Sequence, residues 1–419
     1  MTLVGDKPRG GTLAWRQAVQ TRVATVGDQV LVSATNFGLT LMIGRAFSAE
    51  EFASYGIGLS IGLIVQGLQR HAVTIPLMLE SRQRAGRSVR AIMSEQLLVL
   101  ALAIVGGAIC CAAAVLLNVD RYGMLVVASS AVILFIYLQL EFSRAFLVKI
   151  GRPWLLLASA GWYAAVSAAL SLAAIRGHAS YELFLAVMGG AMLVPVAAMT
   201  AMTGLPTLRR GGLRFVRDMR RYGGWAAAAT LTYTGYNHVP LLILGAMAAP
   251  AHAAAFVAAR SLLQPLQILL RGFDIADKSR FSEITGPSHR QAALAVTLRL
   301  AALYAGIGVL FGATIALFAD PIMTLAYGHK FVDSSAALVA WVPVYVLLSV
   351  TMPLESLVYA RNDFFRYFAV RGAASLVAIA AAFPLIAAFA EVGAIAACGI
   401  GWFLAVAGTV AVLIRRADR

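Results

Sequence analysis

Four arginines, Arg70, Arg260, Arg271 and Arg299, stand inside long apolar stretches, where a charge is costly and has to be placed for a reason. A guanidinium is always charged, weakly hydrated and grips phosphate through a two-pronged fork, so the set suits an anion such as a diphosphate held away from bulk water. Gln66 and Gln267 add hydrogen-bonding groups nearby, and Asn36 and Asn237 offer contacts for hydroxyl groups. Glu141 and Glu355 reach a depth similar to that of Arg70, so Arg70 with Glu141 and Arg271 with Glu355 form candidate ion pairs of a gate. Asp28 and His238 have the chemistry of a proton relay or coupling site. Each residue has a plainer alternative. Long cations snorkel towards the headgroups, carboxylates are satisfied locally, and Gln, Asn and His serve as glue between helices.

The elements that position these residues follow from composition. The chain has 419 residues, 60% hydrophobic and 13% charged, with a mean hydropathy of +0.81, against about a quarter charged in an ordinary soluble chain. This is the composition of an all-α integral membrane protein. Crossing the hydrocarbon takes about 20 mainly apolar residues, and twelve windows qualify: 23–44, 53–79, 96–118, 123–147, 154–175, 182–204, 223–247, 253–275, 292–318, 336–359, 367–389 and 392–414. Interior prolines such as Pro76, Pro240, Pro353 and Pro384 predict kinks in several of them.

The stretch Asn36 to Arg70 recurs at a shift of 201: Asn36 falls on Asn237, Gly44 on Gly245, Ser60 on Ser261, Gln66 on Gln267 and Arg70 on Arg271. Further on, Leu140 and Glu141 match Leu354 and Glu355 at a shift of 214, the added length falling in the connection around residues 319–335. The polar matches carry the argument, because Ala and Leu coincide by chance in so apolar a chain. The predicted organisation is a cytoplasmic tail (1–22), a six-helix lobe (23–204), a basic cytoplasmic linker (205–222), a second six-helix lobe (223–414) and a short cytoplasmic tail (415–419). With six spans per lobe, the two lobes enter the membrane the same way and are related by a pseudo-two-fold axis along its normal.

Lys and Arg crowd alternate connections, from Lys7 and Arg9 through Arg82–Arg90 and Arg209–Arg221 to Arg415 and Arg416, while the other side holds only Arg45, Arg121, Arg176 and Lys330. The bias predicts both termini in the cytoplasm. It also explains the net charge of +15 without nucleic acid, whose binders carry their cations on a solvated face. Cys110, Cys111 and Cys398 all lie in apolar runs and suit core positions rather than a disulfide framework or metal site. No phosphate loop, His-Glu-x-x-His or Cys-x-x-Cys is present, and no sizeable outer loop carries the paired carboxylates a membrane glycosyltransferase would need. The reading is a carrier rather than an enzyme, with no cofactor or metal. The connection around 319–335 contains an apolar Pro321 to Tyr327 segment expected along the interface.

The run Asp28-Gln29-Val30-Leu31-Val32-Ser33-Ala34-Thr35-Asn36-Phe37, followed by Gly44-Arg45-Ala46-Phe47-Ser48-Ala49-Glu50-Glu51-Phe52-Ala53-Ser54-Tyr55, resembles the opening of Wzx-type polysaccharide flippases of the multidrug/oligosaccharidyl-lipid/polysaccharide (MOP) exporter superfamily. Leu325-Ala326-Tyr327-Gly328-His329-Lys330-Phe331 is similar to a segment recurring in the second half of those proteins. The resemblance implies two lobes around a cavity lined by spans 1, 2, 7 and 8 that opens alternately to either side. It implies transport of a polyprenyl diphosphate-linked oligosaccharide across the inner membrane of a bacterium for exopolysaccharide synthesis. The implied partners are that lipid-linked oligosaccharide, membrane lipids, and a polysaccharide polymerase with its export machinery. A cation-coupled multidrug exporter of the same fold, a membrane-embedded polymerase or glycosyltransferase, and a structural scaffold are the alternatives.

Overall fold

The structure, a computed structural model, describes residues 11–79, 82–203, 224–270, 290–361 and 364–417. The first half comprises α1 (Gly11–Ala46), α2 (Ala49–Gln69), a π-helical turn (Arg70–Thr74), α3 (Ile75–Leu79), α4 (Arg82–Leu116), α5 (Arg121–Lys149), α6 (Pro153–Ile175), α7 (Tyr181–Ala191) and α8 (Leu193–Thr203). The second comprises α9 (Gly224–Asn237), α10 (Val239–Met247), α11 (Pro250–Leu262), α12 (Arg290–Leu317), α13 (Ala319–Tyr327), a 3-10 segment (Gly328–Ser334), α14 (Ser335–Arg361) and α15 (Phe364–Ala417).

Among the described residues, nine stretches are long and apolar enough to cross a membrane. One of them, Phe365–Arg415, supplies two passages, because the chain breaks at Ala390 (φ 47°, ψ −121°) and folds back on itself. The return is so tight that a Cβ on Gly393 would stand 1.9 Å from the Leu385 carbonyl oxygen. With α1 and the α9–α10 pair, twelve passages result, the expected all-helical arrangement. Two expected connections are helical instead: α1 starts at Gly11, within the expected tail, and α4 at Arg82, well before residue 96. A polar helical extension beyond the hydrocarbon has its backbone satisfied internally, and hydropathy alone does not register it.

Short, capped connections keep successive helices adjacent. Ser48 and Glu51 form a capping box at the start of α2, the Ser48 amide donating to Glu51 Oε2 (2.8 Å) and the Glu51 amide to Ser48 Oγ (3.3 Å). Asp120 Oδ1 accepts from the Gly123 amide (2.9 Å) at the start of α5. Within the first half, α2 packs on α5 and α1 on α6; within the second, α12 packs on α14 and α9 on α15. The halves meet through α1 and α2 on one side and α9, α10, α11 and α13 on the other. Small residues make that joint possible: a Cβ on Gly56 would come within 2.2 Å of Val257, one on Gly245 within 2.4 Å of Ile57, and one on Gly67 within 2.5 Å of Thr230.

Candidate functional site

Two prolines shape the helices that carry the polar residues. Pro76 lacks the amide that an α-helix would use, and just before it the helix widens into the π turn that begins at Arg70, with the Ile75 amide donating to the Arg70 carbonyl. Pro240 does the same in the second half. The helix breaks at His238 (φ −122°, ψ −36°), and the loosened Asn237 carbonyl accepts a hydrogen bond from Arg260 Nη1 (3.1 Å).

In the first half, Arg70 grips Glu141 with both prongs, Nε to Oε1 and Nη2 to Oε2, each 2.8 Å. Gln66 Nε2 donates to Glu141 Oε2 at 3.4 Å. Arg144, one turn beyond Glu141 and 3.9 Å from it, donates to Asp28 Oδ2 at 2.6 Å. Thus α1, the π turn after α2, and α5 contribute Asp28, Arg70, Glu141 and Arg144 to one cluster whose two cations balance two carboxylates. The carboxylates are buried, whereas half of the Arg70 side chain stays exposed. Asn36 lies outside this cluster: its Oδ1 accepts from the Tyr163 hydroxyl on α6 (2.7 Å).

In the second half, Asn237 Nδ2 donates to the Tyr233 hydroxyl (2.9 Å) and lies 3.1 Å from His238 Nε2. His238 Nδ1, on the other side of the ring, is buried and has no hydrogen-bond partner among the described residues. Arg260 lies 5.5 Å above the Trp341 ring, and the Tyr345 hydroxyl donates to its carbonyl (3.0 Å). No carboxylate is paired with the Arg260 guanidinium among the described residues.

Sequence reasoning paired Glu355 with Arg271. Among the described residues, which do not include Arg271, Glu355 is held by Arg371 Nη1 (2.5 Å) and the Tyr367 hydroxyl. Arg371 also donates to the Tyr236 hydroxyl (2.6 Å) and sits over the rings of Tyr233, Tyr236 and Tyr367. Arg271 itself lies outside the described residues. Arg299, expected with the anion-binding set, is exposed on α12, and Gln267 is half-buried on the segment beyond α11. Sequence reasoning does not single out Arg144 or Arg371. A signal was available for each: Arg144 stands three residues after Glu141, and Arg371 four after Tyr367, spacings that share a helix face.

The twelve passages form two halves that meet along α1, α2 and α9–α11, with Arg70 just past the end of α2 and Arg260 on α11. Comparison with solved structures finds the same fold in transporters of low sequence identity. The chain aligns with an inward-facing multidrug resistance MATE family transporter of the MOP superfamily over 94% of its own length and 98% of the other's, at 12% identity and a TM-score of 0.67. It aligns with the lipid II flippase MurJ, in an inward closed conformation, over 94% and 87% at 12% identity and a TM-score of 0.66. With the eukaryotic MATE transporter AtDTX14 the figures are 96%, 98%, 13% and 0.61. No family model and no curated protein matches the chain.

Proposed function

We propose that this chain is a flippase that carries a polyprenyl diphosphate-linked oligosaccharide across the cytoplasmic membrane by alternating access, for surface polysaccharide synthesis. The observation that carries this reading is the guanidinium chemistry of the helices where the halves meet. Arg260 on α11 has only neutral partners among the described residues, and Arg70, in the π turn that follows α2, keeps half its side chain exposed beside Glu141. An uncompensated cation in a membrane interior calls for an anion, and a diphosphate presents oxygens that a guanidinium binds in a fork. The sugars would lie with it between the halves, and the polyprenyl chain would stay in the lipid.

The multidrug-exporter alternative needs carboxylates free to meet a cationic drug. Asp28, Glu141, Glu355 and Glu391 are each already held by Arg144, Arg70, Arg371 or His252, which favours an anionic load. The test is complementation of a strain deleted for this gene, with wild type and with Arg260→Ala, Arg70→Ala and Arg271→Ala, each checked for expression. The expected result is loss of surface polymer with complete lipid-linked units accumulating inside, rescued by wild type and not by Arg260→Ala. Unchanged polymer with raised sensitivity to cationic drugs would replace this reading with the exporter.

A further inference from the structure

The two halves stop matching in the connection between the ninth and tenth passages. The repeat that holds at a shift of 201 up to Arg70 and Arg271 resumes at 214 by Glu141 and Glu355, and the added length falls where α13 and the following 3-10 segment fold. This asymmetric element does not lie apart from the bundle. Ala319, Met323 and Tyr327, one helical turn apart, are its buried face, while Leu325 is exposed.

That face reaches both halves at the end of the bundle away from the chain termini. The Lys330 ammonium donates to the carbonyls of Arg45 (2.8 Å) and Phe47 (2.9 Å), at the terminus of α1, where carbonyls lack helical partners and the helix dipole favours a cation. Arg45 Nη1 returns a contact to the Leu325 carbonyl (3.4 Å). The Tyr327 ring fills the space beside Gly44, where a Cβ would stand 2.7 Å from it, and packs on Phe52 of α2 at 5.8 Å. Phe331 covers the same Phe52 at 5.7 Å. The Tyr327 hydroxyl is hydrogen-bonded to Ser261 Oγ (2.5 Å) and donates to the Ala258 carbonyl (3.2 Å), both on α11 of the second half.

The kinds of contact differ within and between the halves. Among the described residues the close charged contacts lie inside one half: Arg70–Glu141, Arg144 with Asp28 and Glu141, and Arg121–Glu51 in the first, Arg371–Glu355 and the His252–Glu391 contact in the second. Among the described residues the seam is made of glycine, aromatic and carbonyl contacts, with Glu51 of the first half close enough to Lys330 to favour its charge but not bonded to it. We propose that α13 and the 3-10 segment form a clasp that holds the two halves shut on this face, Tyr327 being its bolt and Lys330 its pin. The inference rests on the transporter reading, in that this face must open during the cycle.

The test uses the full chain in lipid nanodiscs, with Cys110, Cys111 and Cys398 replaced by Ala and spin labels on cysteines placed at the exposed positions Ser48 and His329. Electron-electron distance measurements should give one short distance in the parent. Lys330→Met should add a longer population, raising its share about tenfold for each hydrogen bond of ordinary strength that is lost. Gly44→Ala, which wedges the ring outwards, should act in the same direction. Tyr327→Phe keeps the buried ring and removes only its hydroxyl, so it separates release of the clasp from misfolding and should also add the longer population. One unchanged short distance in all three variants would overturn the proposal. So would transport that continues while Ser48→Cys and His329→Cys are cross-linked. If the cargo is not a lipid-linked oligosaccharide, complementation fails while the spin-label distances still report the clasp.

Discussion

The Asp28–Arg144 pair provides a quantitative check on the first-half cluster. The two groups are 2.6 Å apart, with side chains 4% and 24% exposed, and Arg144 also lies 3.9 Å from Glu141. Arg144→Met keeps the bulk and removes the charge, leaving the buried Asp28 carboxyl without its partner and the cluster with one cation for two acidic groups. Removing one partner of a buried pair costs about 3–5 kcal/mol, which the partial exposure of Arg144 reduces to about 2–3 kcal/mol. Asp28→Asn alone leaves Arg144 near Glu141 and water and should cost about 1 kcal/mol. The double variant restores neutrality, since Arg70 and Glu141 remain paired, and should also lie within about 1 kcal/mol of wild type. The cycle therefore predicts a coupling of about 2 kcal/mol, measured as unfolding of the purified variants in mild detergent by tryptophan fluorescence. Single costs that simply add, within about 0.5 kcal/mol, would refute the cluster as a unit.

Three further outcomes follow from other parts of the structure. Glu355→Gln should destabilise the second half by about 2 kcal/mol, because it leaves Arg371 buried against three tyrosine rings with no carboxylate; thermal melts of the purified variant check it. Gly56→Ala places a methyl against Val257 on the other half and should cost about 1–3 kcal/mol, with Val257→Ala recovering most of it; the double variant's melting temperature decides. Pro240→Ala returns an amide to the break at His238, straightens α9 into α10 and draws the Asn237 carbonyl away from Arg260. Stability should then hold or rise while complementation falls, and full complementation would sever the kink from function.

The depth of Glu141 and Arg70 could be counted along two apolar windows, and both face the same neighbour, so their proximity was legible from sequence. Glu355 shows the limit of that method. Arg371 lies near the end of its passage, where a count along the chain reads it as a headgroup cation, and only the rotation of α15 about its axis turns it onto Glu355 and Tyr236. Arg299 differs again, since its depth suited the cluster and the structure leaves it exposed on α12.

What the sequence determined by itself is what desolvation decides segment by segment: a membrane protein of twelve passages, the break between the last two passages, the kinks at Pro76 and Pro240, and the depth of each polar group. Tertiary structure alone decided which of those groups meet. Helix rotation and crossing carry no signature in hydropathy, so Arg144 on Asp28, Arg371 on Glu355, and Tyr327 lodged against Gly44 on the far side of the seam became visible only once the helices were packed.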